Sequence, residues 1–336
     1  MNKNLQIEGL RAIGLIIVVL FHFLYWREKF LDDTRYSITF MKEWGLIGVG
    51  LFFIISGYFL FPVQTVHREI SPKSWISSKI QNLWIPYALA IGIIWLFFRT
   101  GIIPGYMPSI KELFINLAGC HYLFDVRSIE GAHWYMIQLG TFLFLTFVIR
   151  FFNLRLIYIL PCYFIICMAF QICRECIGYH PFILFLLGGF CHKWNLITLM
   201  LGICLKQYQC TSNNKIKSVY FSYIIILCCS LYFFNKLTWY TSTAATSIIV
   251  LYAIFILSTL KKIPFLEIQL LTFIGSISFY VYLIHQYIGY SIIHYLQPDV
   301  GNTIAVTVAI ISSIIMGIFL KHIHNKIIKY LKHHKT

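Results

Sequence analysis

Charge is what this sequence has least of. Only 12% of its 336 residues are charged, and just 12 are acidic. A water-soluble domain carries about a quarter charged residues. A chain this poor in charge, and 59% hydrophobic, lacks the polar surface a soluble fold needs. The ten-residue alternation of an outer-membrane barrel is also missing, which argues for helices. A metal-ligand set is missing too. Cys173 and Cys176 in "CREC" form the one cysteine pair at C-x-x-C spacing, with no second pair at zinc spacing. The other cysteines lie mostly in apolar runs, as small buried hydrophobes do. No internal repeat, low-complexity tract or appended soluble domain is visible. No small-residue cleavage site follows the first apolar stretch, which ends in "YWREK", so it reads as a retained span.

What the sequence has is long apolar runs. A helical span needs about 20 mostly apolar residues. Ten runs qualify, at about 7–25, 44–63, 83–99, 133–152, 156–172, 181–205, 216–234, 241–260, 270–295 and 303–322. The expectation is an all-α polytopic membrane protein, one domain over 1–336, with about ten transmembrane helices around a polar intramembrane cavity. The sixth run, with His192 and Lys193 inside it, reads as a broken or re-entrant helix. The net charge of +15 is distributed as topology rather than as a nucleic-acid groove. With the N-terminus in the cytoplasm, the inside segments hold sixteen lysines and arginines against two acids. The outside segments hold nine of each. Both termini are therefore expected to be cytoplasmic.

The first run, "IEGLRAIGLIIVVLFHFLYW", carries Arg11 and His22. Eleven residues of helix advance about 16.5 Å and end about 20° from a whole number of turns. The two side chains thus share a face, Arg11 toward the inner end and His22 toward the outer. Ionisable groups inside spans face protein or a wet cavity and mark functional sites. Glu8 lies one turn before Arg11, so a salt link plus a headgroup-level histidine is the structural alternative.

"IEGLRAIGLIIVVLFHF" resembles the opening of the acyltransferase-3 family of membrane O-acyltransferases, in which an arginine, ten intervening residues and a histidine mark the first span. "GVGLFFIISGYFLF", with Ser56 and Gly57, is similar to the family's second span. "HWYMIQL" (His133, Trp134, Tyr135) is similar to its aromatic middle-span opening. "IGSISFYVYLIHQYI", through Ser278, Tyr282 and His285, is similar to its late-span signature. Two departures stand out. Gly50 occupies a position where many relatives carry an acid. "KIQNLWIPY" offers Lys79 and Asn82 where relatives often have two arginines, and Arg68 or Lys73 is the substitute for the missing charge.

The resemblance implies transfer of an acyl group, usually acetyl, from cytoplasmic acyl-CoA to a hydroxyl of an extracytoplasmic glycan or lipid-linked sugar. Acyl-CoA (acetyl-CoA) is then a donor substrate, with no cofactor tightly bound. The other partners are the glycan acceptor and membrane lipids, with no nucleic acid. A sugar hydroxyl needs a base, and histidine titrates near neutrality. His22 is therefore the candidate base and Arg11 the candidate anchor for a phosphate or thioester carbonyl. Lys79 is a candidate for CoA phosphates, although inner lysines already serve topology. Ser278, Tyr282 and His285 are candidates for lining the same cavity, against a plain role in interhelical hydrogen bonding. Trp134 is a candidate sugar-stacking platform, against an aromatic-belt residue. Ser56 lacks a neighbouring base and reads as helix packing. "HYLFD" (His121, Asp125) mimics a soluble acyltransferase motif by coincidence. The competing function is a transporter or flippase for a glycan or small acyl metabolite, for which inverted repeats or paired broken helices are the expected mark.

Overall fold

The computed structural model describes residues 4–27, 38–60, 71–177, 193–233 and 241–333, with backbone only for 170–177, 193, 194 and 233. Among these residues every regular element is helical. The α-helices are α1 (Leu5–Phe21), α2 (Trp44–Leu60), α3 (Pro72–Lys79), α4 (Ile85–Arg99) and α5 (Ile110–Leu117), followed by α6 (Trp134–Phe151), α7 (Leu156–Ile177), α8 (Lys193–Cys210) and α9 (Asn214–Phe233). The last four are α10 (Ser242–Thr259), α11 (Gln269–Tyr282), α12 (His285–Val300) and α13 (Asn302–His333). Seven helices among the described residues are long and apolar enough to cross a membrane, and the α11–α12 pair makes an eighth. The protein is an all-α polytopic membrane protein. The fifth predicted span corresponds to the shorter apolar stretch Leu156–Ala169. Residues 181–192 of the sixth, including His192, lie outside the described residues, as does Arg68.

The chain divides into two compact units. The first holds residues 1–14, 46–70 and 135–272. Its packing rests on small residues at helix crossings. A side chain at Gly57 on α2 would sit 2.0 Å from the Leu199 carbonyl oxygen on α8, and one at Gly202 on α8 would sit 2.0 Å from the Ile54 oxygen on α2. Backbones this close require glycine at both positions, the usual way membrane helices gain contact where lipid gives no hydrophobic push.

The second unit holds residues 15–45, 71–134 and 273–336. Its loop from 100 to 130 is ordered by local chemistry. Ser109 and Glu112 form a reciprocal capping box at the start of α5, satisfying two otherwise orphaned N–H groups. Asn116 then donates to the Arg127 carbonyl and accepts from the Ile129 N–H. The dominant feature of this unit is the junction of α11 and α12, an 87° bend at Leu283 and Ile284. The run read as one span over 270–295 is therefore broken.

Candidate active site

A bent apolar helix leaves carbonyls and N–H groups without partners, and in a membrane these must be satisfied inside the protein. Here side chains do it. The His285 Nδ1–H donates to the Tyr282 carbonyl at 2.9 Å, and the His133 Nε2–H donates to the Leu283 carbonyl at 2.8 Å. On the α12 side, the Tyr287 N–H donates to Glu130 Oε2 at 3.4 Å. The Tyr282 hydroxyl donates to the Ala132 carbonyl at 2.6 Å, tying the Gly131–His133 3₁₀ turn to the bend. These bonds fix two tautomers. A carbonyl accepts only from N–H, so neutral His285 keeps its lone pair on Nε2 and neutral His133 on Nδ1. Both of those nitrogens are buried with no partner among the described residues.

His22 comes to this junction through a change of helix type. α1 is regular to Phe21, and the chain then forms a π-helical turn over His22–Trp26, closed by the Arg27 N–H on the His22 carbonyl at 3.0 Å. Single π-turns in α-helices recur at functional sites. Contact with α12 is close because Gly289 has no side chain: a Cβ there would lie 2.1 Å from the Phe23 ring. The His22 and His285 rings consequently meet edge to face, 5.1 Å between centroids. His22 is 8% exposed and His285 0%. His22 Nδ1 is 3.2 Å from the Tyr290 hydroxyl, which also receives the Gln286 Nε2–H at 3.3 Å. The result is two imidazoles and a tyrosine–glutamine pair packed together.

Arg11 belongs to the first unit and makes a different set of contacts. Its Nη1 donates to Glu8 Oε1 at 2.9 Å, with Arg11 35% and Glu8 5% exposed. The guanidinium also lies 5.9 Å from the Phe59 ring centroid. The salt link named as the structural alternative is therefore present. Nearby in the same unit, Ser56 Oγ and the Tyr135 hydroxyl share a hydrogen bond of 2.9 Å. Tyr135 is buried, so it is part of the unit's interior. Gln138 accepts from Asn195 at 2.6 Å.

The remaining predicted residues divide by what they touch. Ser278 spends its hydroxyl on the Gly275 carbonyl of its own helix, 2.8 Å away. Tyr282 is a tether to Ala132. Both are buried, and both hold structure together. Trp134 is half-buried at the head of α6. Lys79 is half-buried, with Nζ 5.6 Å from the Trp75 ring. The partner position of the family's basic pair, Asn82, lies in a second π-helical turn, Ile80–Trp84, and donates to the Ser78 carbonyl at 2.8 Å. An open groove of about 620 Å³ runs past this segment, lined by Lys73, Ser77 and Gln81 among isoleucines and Leu331.

His121 and Asp125 do not pair. Asp125 is exposed, whereas His121 is buried with neither ring nitrogen bonded to any described residue. Burial pushes His121 down to about 4. Burial likewise pushes Glu130 well above the ordinary carboxylate range, against the pull of backbone N–H groups from Ala132, Gln286 and Tyr287. Sequence reasoning passed over Glu130, Gln286 and Tyr290. Glu130 had a readable signal, an acid directly before an apolar span. Gln286 and Tyr290 had only their helical spacing of one turn.

With the site in view, comparison with known families is informative. The model of one family, described as an acyltransferase domain, matches residues 4–322. No curated protein and no solved structure matches the chain.

Proposed function

Because the chain belongs to the acyltransferase-3 family and is an integral membrane acyltransferase, we propose that it moves an acetyl group from acyl-CoA in the cytoplasm to a hydroxyl of an extracytoplasmic glycan or lipid-linked sugar. The membrane is the bacterial cytoplasmic (inner) membrane, with both termini inside. The observation that carries this reading is the buried meeting of His22 and His285 at the end of a broken helix. Two neutral imidazoles in a dry setting are suited to taking a proton from a hydroxyl and returning it to a leaving thiolate.

Charge placement supports the direction of transfer. Arg11 lies near the start of α1, and an always-charged guanidinium suits a phosphate or a polarised thioester carbonyl. Glu8 neutralises part of it, so donor binding there includes exchange of that partner. Lys73 beside the groove, with Lys79 on the same short helix, suits the phosphates of CoA. Trp134 is kept as a sugar-stacking candidate.

The test is mass spectrometry of surface glycans from cells carrying the protein, lacking it, or carrying His22→Ala. Loss of an O-acetyl ester with the polymer still exported supports the enzyme. A second reading, a transporter or flippase, draws on the 87° break in α11–α12, since broken helices build transport sites. Under that reading export itself stops.

A further inference from the structure

Two imidazoles brace the break between α11 and α12 in the same way. The Tyr282 and Leu283 carbonyls are consecutive, and each accepts one ring N–H: Nδ1–H of His285 at 2.9 Å and Nε2–H of His133 at 2.8 Å. A carbonyl oxygen has no proton to give, so both directions are fixed. Bracing needs an N–H and nothing more, and an amide side chain would supply it. Imidazole brings a lone pair as well. On both rings that second nitrogen is buried without a hydrogen bond among the described residues.

The neighbours of His133 have no proton for it. The Tyr87 ring lies 5.0 Å away, but its hydroxyl donates to the Asn116 carbonyl at 2.7 Å. His121 is within electrostatic reach, yet neither of its ring nitrogens is bonded to any described residue. His133 is 1% exposed and His285 0%, so bulk water does not solvate them. A buried acceptor left unpaired is costly, and one that the fold itself does not satisfy calls for a role. What the two nitrogens lack is donors, and a sugar carries several O–H groups close together.

We propose that His133 is a specificity-determining residue for the acceptor: its Nδ1 accepts a hydrogen bond from a second hydroxyl of the sugar whose reacting hydroxyl lies at His285. This deepens the function proposed above and rests on it. It assigns the acceptor to polyols, held by one hydroxyl and acylated on another, and makes a lone alcohol a poor substrate. The bond forms away from water, where it is stronger than at a surface. An acceptor without the second hydroxyl leaves Nδ1 unpaired, which is how a hydrogen-bonding site rejects an analogue lacking one group.

His133→Gln isolates this contact. Glutamine can keep an N–H near the Nε2 position for the Leu283 carbonyl, and it has no acceptor in the place of Nδ1. Membranes carrying either protein are given acetyl-CoA labelled in its acetyl group, and two products are counted. One is ester on the cell's own surface glycan; the other is free acetate from transfer to water. With His133→Gln, ester formation is expected to fall about 10- to 100-fold, the usual cost of a buried polar atom left unpaired, while acetate release does not fall. Ester and acetate falling together mark a purely structural role and overturn the proposal, as does unchanged ester formation. If His133→Gln does not accumulate, wild-type membranes decide with two small acceptors of one carbon skeleton. Propylene glycol is expected to be acetylated at least about tenfold faster than n-propanol. Equal yields, none from either included, overturn the proposal. Wild-type membranes that make no glycan ester refute the function proposed above, and this inference falls with it.

Discussion

His121 shows what burial does to a single side chain. It has no hydrogen-bond partner among the described residues, and burial alone holds it down to about 4. The sign follows directly. Between about 6.5 and 4 the unfolded chain binds this proton and the folded chain does not, so stability falls as pH falls through that window. His121→Asn is expected to flatten the pH dependence of thermal unfolding in detergent by up to about 1.4 kcal/mol per pH unit. An unchanged slope contradicts the assignment. At this scale the sequence was informative about identity and silent about wiring. Arg11 and His22 stood out because ionisable groups in an apolar run are conspicuous. The contact of His22 Nδ1 is with Tyr290, 268 residues downstream, and no local spacing encodes that.

The helices themselves were legible, because each apolar run is long and has few charges. The break between α11 and α12 was not. "FYVYLIHQYIGY" holds no lysine, arginine or acid, with neither proline nor glycine at the bend, so periodicity reads one span. What stabilises the bend is supplied from elsewhere in the second unit: His133 for a carbonyl and Glu130 for the N–H groups that open α12. Glu130→Gln keeps a carbonyl oxygen for those N–H groups and is expected to cost little stability. Glu130→Ala leaves them unsatisfied and is expected to cost about 1–3 kcal/mol, read as lost accumulation or a lower unfolding temperature. Equal behaviour of the two variants contradicts the capping role. Gly289→Ala drives a methyl group into the Phe23 ring and is expected to cost about 1–3 kcal/mol. Activity should fall along with stability, because Phe23 adjoins His22. The irregularity expected in the sixth span falls partly on residues outside those described.

Across the whole molecule, the chain alternates between its two units, and α1 begins in one and ends in the other. Arg11 and His22 thus belong to different units while sharing one helix. Positive charge sets the orientation, so a cysteine introduced near Lys215 or Lys329 is expected to react with a membrane-impermeant thiol reagent only after the cells are opened. Labelling in intact cells contradicts cytoplasmic placement of those segments.

Sealed inside-out membrane vesicles test the central claim most directly, because they separate the two sides on which donor and acceptor are held to lie. Acetyl-CoA labelled in its acetyl group is supplied outside the vesicles, at the cytoplasmic face, and the glycan within the lumen is recovered and its esters counted. The account predicts label in luminal glycan with the wild-type chain and background label with His22→Ala. Label confined to the donor side, or equal label with both proteins, contradicts it.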